Sequence, residues 1–189
     1  MNVLIFTGHF GMGHIAAAQA VRQEILRQDP TASVTIVDVV EDCFPQLHRL
    51  VYGCFDLTVN YFSSVYNLLN RLASHGECAP MKRIMVQKLD QVLYESQADL
   101  VISTLPLSSQ YISTYKQTTG SSIPLYTYIT DIDAHSEWVA PETDCYFVGD
   151  ESTRLQLLRL RVPADQAEFP FARSFSSTPS AAPERKSCW

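Results

Sequence analysis

Three things are scarce in this sequence, and each scarcity excludes something. Positive charge is the first: 14 lysines and arginines stand against 20 aspartates and glutamates, a formal net charge of −6. The counterion release that drives nucleic-acid binding has no chain-wide support at that balance, so no DNA or RNA partner is expected. The local groups Lys82 with Arg83, and Arg154 with Arg159 and Arg161, fit solvated helix faces. Long apolar runs are the second. No window approaches the roughly 18 uninterrupted apolar residues of a membrane span, and the run Val3 to Phe6 is short for the core of a secretory signal. Any membrane contact is expected to be peripheral. Paired cysteine is the third: Cys43, Cys54, Cys78, Cys145 and Cys188 are odd in number, widely spaced and without a C-x-x-C. That fits neither a disulfide framework nor a zinc site and suits a reducing cytoplasm. Cys188 is also next to last, not fourth from last as prenylation requires.

What remains is an ordinary globular composition, 46% hydrophobic and 18% charged, in 189 residues, which suits one core. Residues 2–7 form an apolar run that meets the glycine turn Gly8-His9-Phe10-Gly11-Met12-Gly13, and an alanine-rich segment follows. The pattern predicts strand, turn and a helix over about 13–28, with Ala17, Val21 and Ile25 facing inward and Asp29-Pro30 as the stop. The β-branched run Val34 to Val40 predicts a strand buried on both faces, closing a βαβ unit. Met81, Ile84, Met85, Leu89, Val92 and Leu93 keep helical spacing before a buried run at Leu100 to Ser103. Leu125 to Thr130 and Cys145 to Val148 read as further strands, the latter leading through a candidate N-cap, Asp150, into a helix over about 151–161.

Alternating strands and helices predict an α/β fold, a Rossmann-like open, mostly parallel sheet with helices on both faces. Ligands gather at the carboxyl ends of such strands, which singles out loops 8–14, 104–110 and 131–141. One domain is expected over 1–170, and the polar, proline-containing stretch 171–189 reads as a disordered tail. The segment Cys43 to Leu72 is unusually aromatic. It reads either as buried helices or as an interfacial, lipid-facing surface in which Phe55, Tyr61, Phe62 and Tyr66 would take part.

Two clusters can carry chemistry. A glycine turn between strand and helix brings backbone N–H groups and a helix N-terminus to one point, which favours anions. The order here is G-x-x-G-x-G, not the dinucleotide fingerprint, although Asp38 stands where a ribose-binding acid would. No Lys-Ser/Thr follows the glycines, so a P-loop is excluded. His14 falls in the first helical turn, where the dipole favours the neutral, proton-accepting imidazole; His9 is the weaker candidate. The second cluster is Thr130-Asp131-Ile132-Asp133-Ala134-His135-Ser136-Glu137-Trp138. It admits a D-x-D metal motif, an Asp131 that orients a histidine or takes a proton itself, or a capped loop. An EF-hand fails at its sixth position, Ser136 in place of glycine.

Taken together, Thr7, Gly11, Gly13, His14, Ala17, Ala18 and Ala20, with Ser103-Thr104-Leu105-Pro106 and Thr130, Asp131, His135 and Trp138, resemble the motifs of a glycolipid synthase family. That family comprises the diacylglycerol glucosyltransferases and the monogalactosyldiacylglycerol synthases, and the likeness runs over about residues 2–160. It implies the N-terminal, acceptor-side domain of a GT-B enzyme that transfers hexose with inversion from a UDP-sugar to diacylglycerol or a related lipid. A UDP-sugar would be the donor substrate, with no further cofactor and no metal. The same resemblance implies His14 and Asp131 as catalytic residues and Gly11, Met12 and Gly13 as the loop at the donor phosphates. His9, Pro106, His135 and Trp138 would lie on an acceptor or interdomain face. A lipid acceptor and a membrane surface would be its partners. The donor-binding C-terminal domain of the family has no counterpart here, so activity is expected to need a separate donor-binding subunit or domain. The rival expectations are a noncatalytic lipid- or partner-binding module and a nucleotide-binding Rossmann domain that uses Asp38.

Overall fold

The computed structural model describes residues 1–43 and 79–169, and elements are numbered over those residues. The aromatic segment, with Phe55, Tyr61, Phe62 and Tyr66, and the tail 171–189 lie outside them. In chain order the elements are β1 (Asn2–Thr7), α1 (Met12–Gln28), β2 (Ser33–Asp38), α2 (Val39–Cys43), α3 (Ala79–Ser96), β3 (Leu100–Ser103), α4 (Pro106–Thr119), β4 (Leu125–Tyr128), a 3₁₀ turn (Ser136–Trp138), β5 (Cys145–Phe147), α5 (Glu151–Arg159), a second 3₁₀ turn (Ala164–Gln166) and β6 (Ala167–Glu168).

The six strands form one all-parallel sheet in the order β2-β1-β3-β4-β5-β6. Alternation along β1 divides the core. Leu4 and Phe6 turn to one face with Val101 and Leu125, where α2, α3 and α4 pack through residues such as Val40, Leu89 and Ile112. Val3 and Ile5 turn to the other with Leu100 and Ile102, covered by Ala18, Val21 and Ile25 of α1. The chain leaves β1 for β2 on one side and returns past β1 to form β3 on the other. This reversal opens a crevice at the carboxyl ends of β1 and β3, the place where open parallel sheets bind ligands.

Four details differ from the sequence expectations. The inward stripe of α1 is His14, Ala18, Val21 and Ile25, with Ala17 only half-buried, so the histidine belongs to the buried face. The run 34–40 is not a two-sided buried strand: β2 is an edge strand with Ser33 and Thr35 exposed, and its last two residues start α2 instead, where Asp38 accepts N–H bonds from Val40 and Glu41. On α3 the buried stripe is Met85, Leu89 and Leu93, while Ile84 is exposed. Past α5, where the sequence reading has no strand, β6 adds a parallel edge to β5.

Capping explains the boundaries. Pro106 opens α4 and Gly120, at φ 73°, closes it in the left-handed conformation. Asp150 caps α5, accepting from the Thr153 N–H at 2.9 Å as its sequence position predicts.

Ile102 is fully buried in a strand flanked on both sides, whereas Thr35 faces solvent on an edge. Ile102→Ala is expected to cost about 2–5 kcal/mol, and Thr35→Ala under about 1 kcal/mol. Urea unfolding of the two variants checks this; equal losses would contradict the edge assignment of β2.

Candidate active site

The crevice is built first by glycines. A Cβ on Gly8 would sit 3.0 Å from Leu105 Cδ2, so its absence lets the turn after β1 approach the turn after β3. Gly11 holds φ 88° at the N-cap of α1, a conformation that side chains with a Cβ rarely adopt. Around Gly11 and Gly13 a Cβ would meet nothing within 4 Å, and Met12 between them is 82% exposed. Among the described residues no side chain caps α1, and its first turn holds no acidic residue. The leading N–H groups of the helix therefore face an open approach with their dipole uncompensated by a side chain.

His14, in the first turn, is only 8% exposed but lies at the carboxyl rim of the sheet. Its Nδ1 is 2.8 Å from the Thr104 carbonyl oxygen and 2.8 Å from the Thr130 hydroxyl. A carbonyl can only accept, so Nδ1 carries the proton and the Thr130 oxygen shares it as a second acceptor. That tautomer leaves the Nε2 lone pair as the proton acceptor of the ring. Thr104 also donates its hydroxyl to the His14 carbonyl at 3.1 Å and lies 3.0 Å from the Thr7 hydroxyl. Burial lowers the proton affinity of the imidazole below the ordinary histidine range; the charge of Asp131 and the bond to Thr104 oppose that shift without cancelling it.

Asp131 follows β4 and is half-exposed beside this ring. Its Oδ2 accepts from the Trp138 indole N–H at 2.8 Å and lies 3.3 Å from His135 Nε2. The loop that carries it is fastened on several sides. Gln110 of α4 donates to the Glu137 and Val139 carbonyls at 2.9 and 3.0 Å. Gln156 of α5 accepts from the Ala134 N–H at 2.6 Å and donates to Asp133 Oδ1 at 2.8 Å, while the Thr153 hydroxyl donates to the Ile132 carbonyl at 3.1 Å. The Tyr146 hydroxyl pairs with both backbone groups of Ala140 at 3.0 Å. Beneath the crevice the buried hydroxyls of Ser103, Ser108, Ser109 and Thr127 bond to one another at 2.6 to 3.0 Å, which lets the serine-rich start of α4 sit in the core.

These contacts sort the predicted residues. His14, Asp131, His135 and the loop of Gly11, Met12 and Gly13 share the rim. His9 does not join them: exposed, it bonds Asp38 at 2.6 Å on the β2 side. Asp38 spends its other oxygen on the N-terminus of α2, which removes support for a ribose-binding role. Trp138, expected on an acceptor or interdomain face, is 0% exposed, because its ring packs against Tyr146 and Leu157. Pro106 is likewise buried, as the first residue of α4. One oxygen of each D-x-D carboxylate is engaged, Asp131 Oδ2 by the Trp138 indole N–H and Asp133 Oδ1 by Gln156, and among the described residues no group of three potential ligands gathers for a metal. Thr104 and Thr130 stand in the quoted motifs, yet spacing alone gives no sign that they hold the imidazole.

The His14 ring is expected to titrate below the free-histidine midpoint, and Asp131→Asn is expected to lower it further by removing the charge that raises it. NMR of the ring protons measures both; a wild-type midpoint at or above that of free histidine would contradict the burial argument.

The chain matches known proteins. The family model described as monogalactosyldiacylglycerol (MGDG) synthase matches residues 14–169. The chain is 29% identical over 192 residues to a processive diacylglycerol beta-glucosyltransferase of Bacillus cytotoxicus, which covers 94% of this chain and 47% of the relative. It is 30% identical over 176 residues to the protein of the same name in Bacillus thuringiensis, with 87% and 43% covered. The chain thus spans about half the length of the curated relatives it matches. Among solved structures, the apo form of the lipopolysaccharide outer core galactosyltransferase WaaB superposes with a TM-score of 0.53 at 11% identity, covering 89% of this chain and 44% of that one. The structural likeness supports the Rossmann-like α/β fold read from the sheet, and the matched residues place the chain in the monogalactosyldiacylglycerol synthase family.

Proposed function

We propose that this chain is the acceptor-side half of an inverting hexosyltransferase that moves a sugar from a UDP-sugar to diacylglycerol or a related lipid, and that it needs a donor-binding domain or subunit to turn over. The observation that carries the reading is His14: a desolvated imidazole whose Nδ1 proton is tied to Thr104, so that Nε2 accepts protons at neutral pH beside a helix N-terminus open to anions. His14 Nε2 takes the proton of the acceptor hydroxyl as that oxygen bonds to the anomeric carbon. The bond from that carbon to the UDP oxygen breaks, and the electron pair leaves with the diphosphate. Asp131 stabilises the imidazolium so formed, while the amides of Gly11 to Gly13 oppose the growing charge on the leaving group.

The identity of the relatives supports the lipid acceptor, since both are named for diacylglycerol. Met12 and Ile132, 82% and 86% exposed on the two loops that flank His14 and Asp131, suit an apolar acceptor presented at a membrane. No described helix is long and apolar enough to cross one; the association proposed here is peripheral and on the cytoplasmic face.

The test combines this chain with the C-terminal half of the Bacillus cytotoxicus relative, UDP-glucose and vesicles containing diacylglycerol. Glucolipid formation is expected, and His14→Ala should lower kcat by roughly 10²–10⁴-fold. Gly13→Ala separates site from scaffold: with open space around it, the new methyl should leave stability unchanged or raise it by up to about 1 kcal/mol while weakening UDP-sugar use. Turnover unaffected by His14→Ala would refute the mechanism. Vesicle binding without turnover in any reconstitution would favour the noncatalytic module.

A further inference from the structure

His135 is held in an arrangement that the mechanism above leaves unused. Its Nε2 lies 3.3 Å from Asp131 Oδ2 and its Nδ1 lies 3.6 Å from Glu137 Oε2, so a carboxylate faces each ring nitrogen. The ring is half-exposed, in contrast to the buried ring of His14. Both imidazoles flank one indole: the Trp138 centroid is 6.3 Å from that of His14 and 6.4 Å from that of His135. The indole N–H is bonded to the same Asp131 oxygen that His135 approaches. Asp131 therefore answers to two imidazoles, one shielded from water and one in contact with it.

The surroundings add few other charges. Gln110 of α4 and Gln156 and Thr153 of α5, the side chains that fasten this loop, are neutral, and Asp133 is bonded to Gln156. Among the described residues the ionisable groups that bear on His135 are Asp131, Glu137 and, across the indole, His14. The charge of Asp131 is what favours a proton on His14, so anything that compensates that charge weakens the preference.

We propose that His135 is a positioning residue that sets the base strength of His14 through their common partner Asp131. Protonated, it donates from both ring nitrogens, compensates the Asp131 carboxylate and makes a proton on His14 less favourable. Neutral, it leaves more of that negative charge to act on His14. Beside a protonated His135, His14 thus keeps its free lone pair further into the acid range than it would beside a neutral partner. The functional consequence rests on the reading of His14 as the base, but the coupling itself is a property of this chain.

The experiment follows the His14 ring signals by NMR across a pH titration of the full 189-residue chain, comparing wild type with His135→Gln and His135→Lys. Glutamine keeps an N–H toward Asp131 and takes no proton; lysine holds a charge throughout. The His14 midpoint is expected to rise by about 0.3 pH unit or more with glutamine and to stay at or below that of wild type with lysine. A side chain that served packing alone would move the midpoint the same way in both variants. Shifts of the same sign, or both under about 0.1 unit, overturn the proposal. Amide spectra report whether each variant is folded, and His135→Arg replaces the lysine variant if that one is not. In the reconstituted enzyme the acid limb of the kcat profile should move to higher pH with His135→Gln. Uncoupled imidazoles with turnover still dependent on His14 remove only this inference. Coupled imidazoles with turnover indifferent to His14 remove the proposed function instead.

Discussion

The hydrogen bond from His14 Nδ1 to the Thr104 carbonyl is the constraint around which the rest is arranged. It crosses the point where the strand order reverses, joining the helix that follows β1 to the turn that follows β3. A buried imidazole without such a partner would lose hydrogen bonding with no return. With it, the same burial weakens the proton affinity of the ring and the bond selects which nitrogen stays free. Local sequence, packing and chemistry meet here: glycines let two turns approach, the approach brings a carbonyl to the ring, and the carbonyl decides the tautomer.

Much of this frame was legible before any coordinates. Strand β1, the glycine turn and α1 follow from an apolar run, a breaker and a helix-forming stretch, and Asp150 announced α5 because a cap works through a single local bond. The sheet edges were less legible. A β-branched run reads alike whether its strand is central or peripheral, so nothing in Val34 to Val37 distinguishes a strand with two neighbours from one with a single neighbour. Helix α4 was hidden for another reason: its serines and threonines have weak helical preference, and only their mutual hydroxyl bonds make a polar helix welcome in the core.

The site divides in the same way. His14 and Asp131 stand out because ionisable side chains beside glycine or after an apolar strand are uncommon without cause. The hydroxyls and carbonyls that orient them do not stand out, since a backbone carbonyl has no sequence signature and threonine is common everywhere. Trp138 shows the opposite error. An aromatic residue in a loop invites a surface role, yet its N–H bond to Asp131 and its place in the core make it part of the support beneath the site.

The bracing of the loop after β4 by Gln110, Gln156, Thr153 and Tyr146 has a consequence for assembly. Each side chain immobilised during association costs about 0.5–1.5 kcal/mol of lost freedom. Here that loss falls on folding of the single chain, long before a second body arrives. Any body that settled over this surface would meet a finished relief instead of one that must be shaped on contact, and would be spared that part of the cost of association.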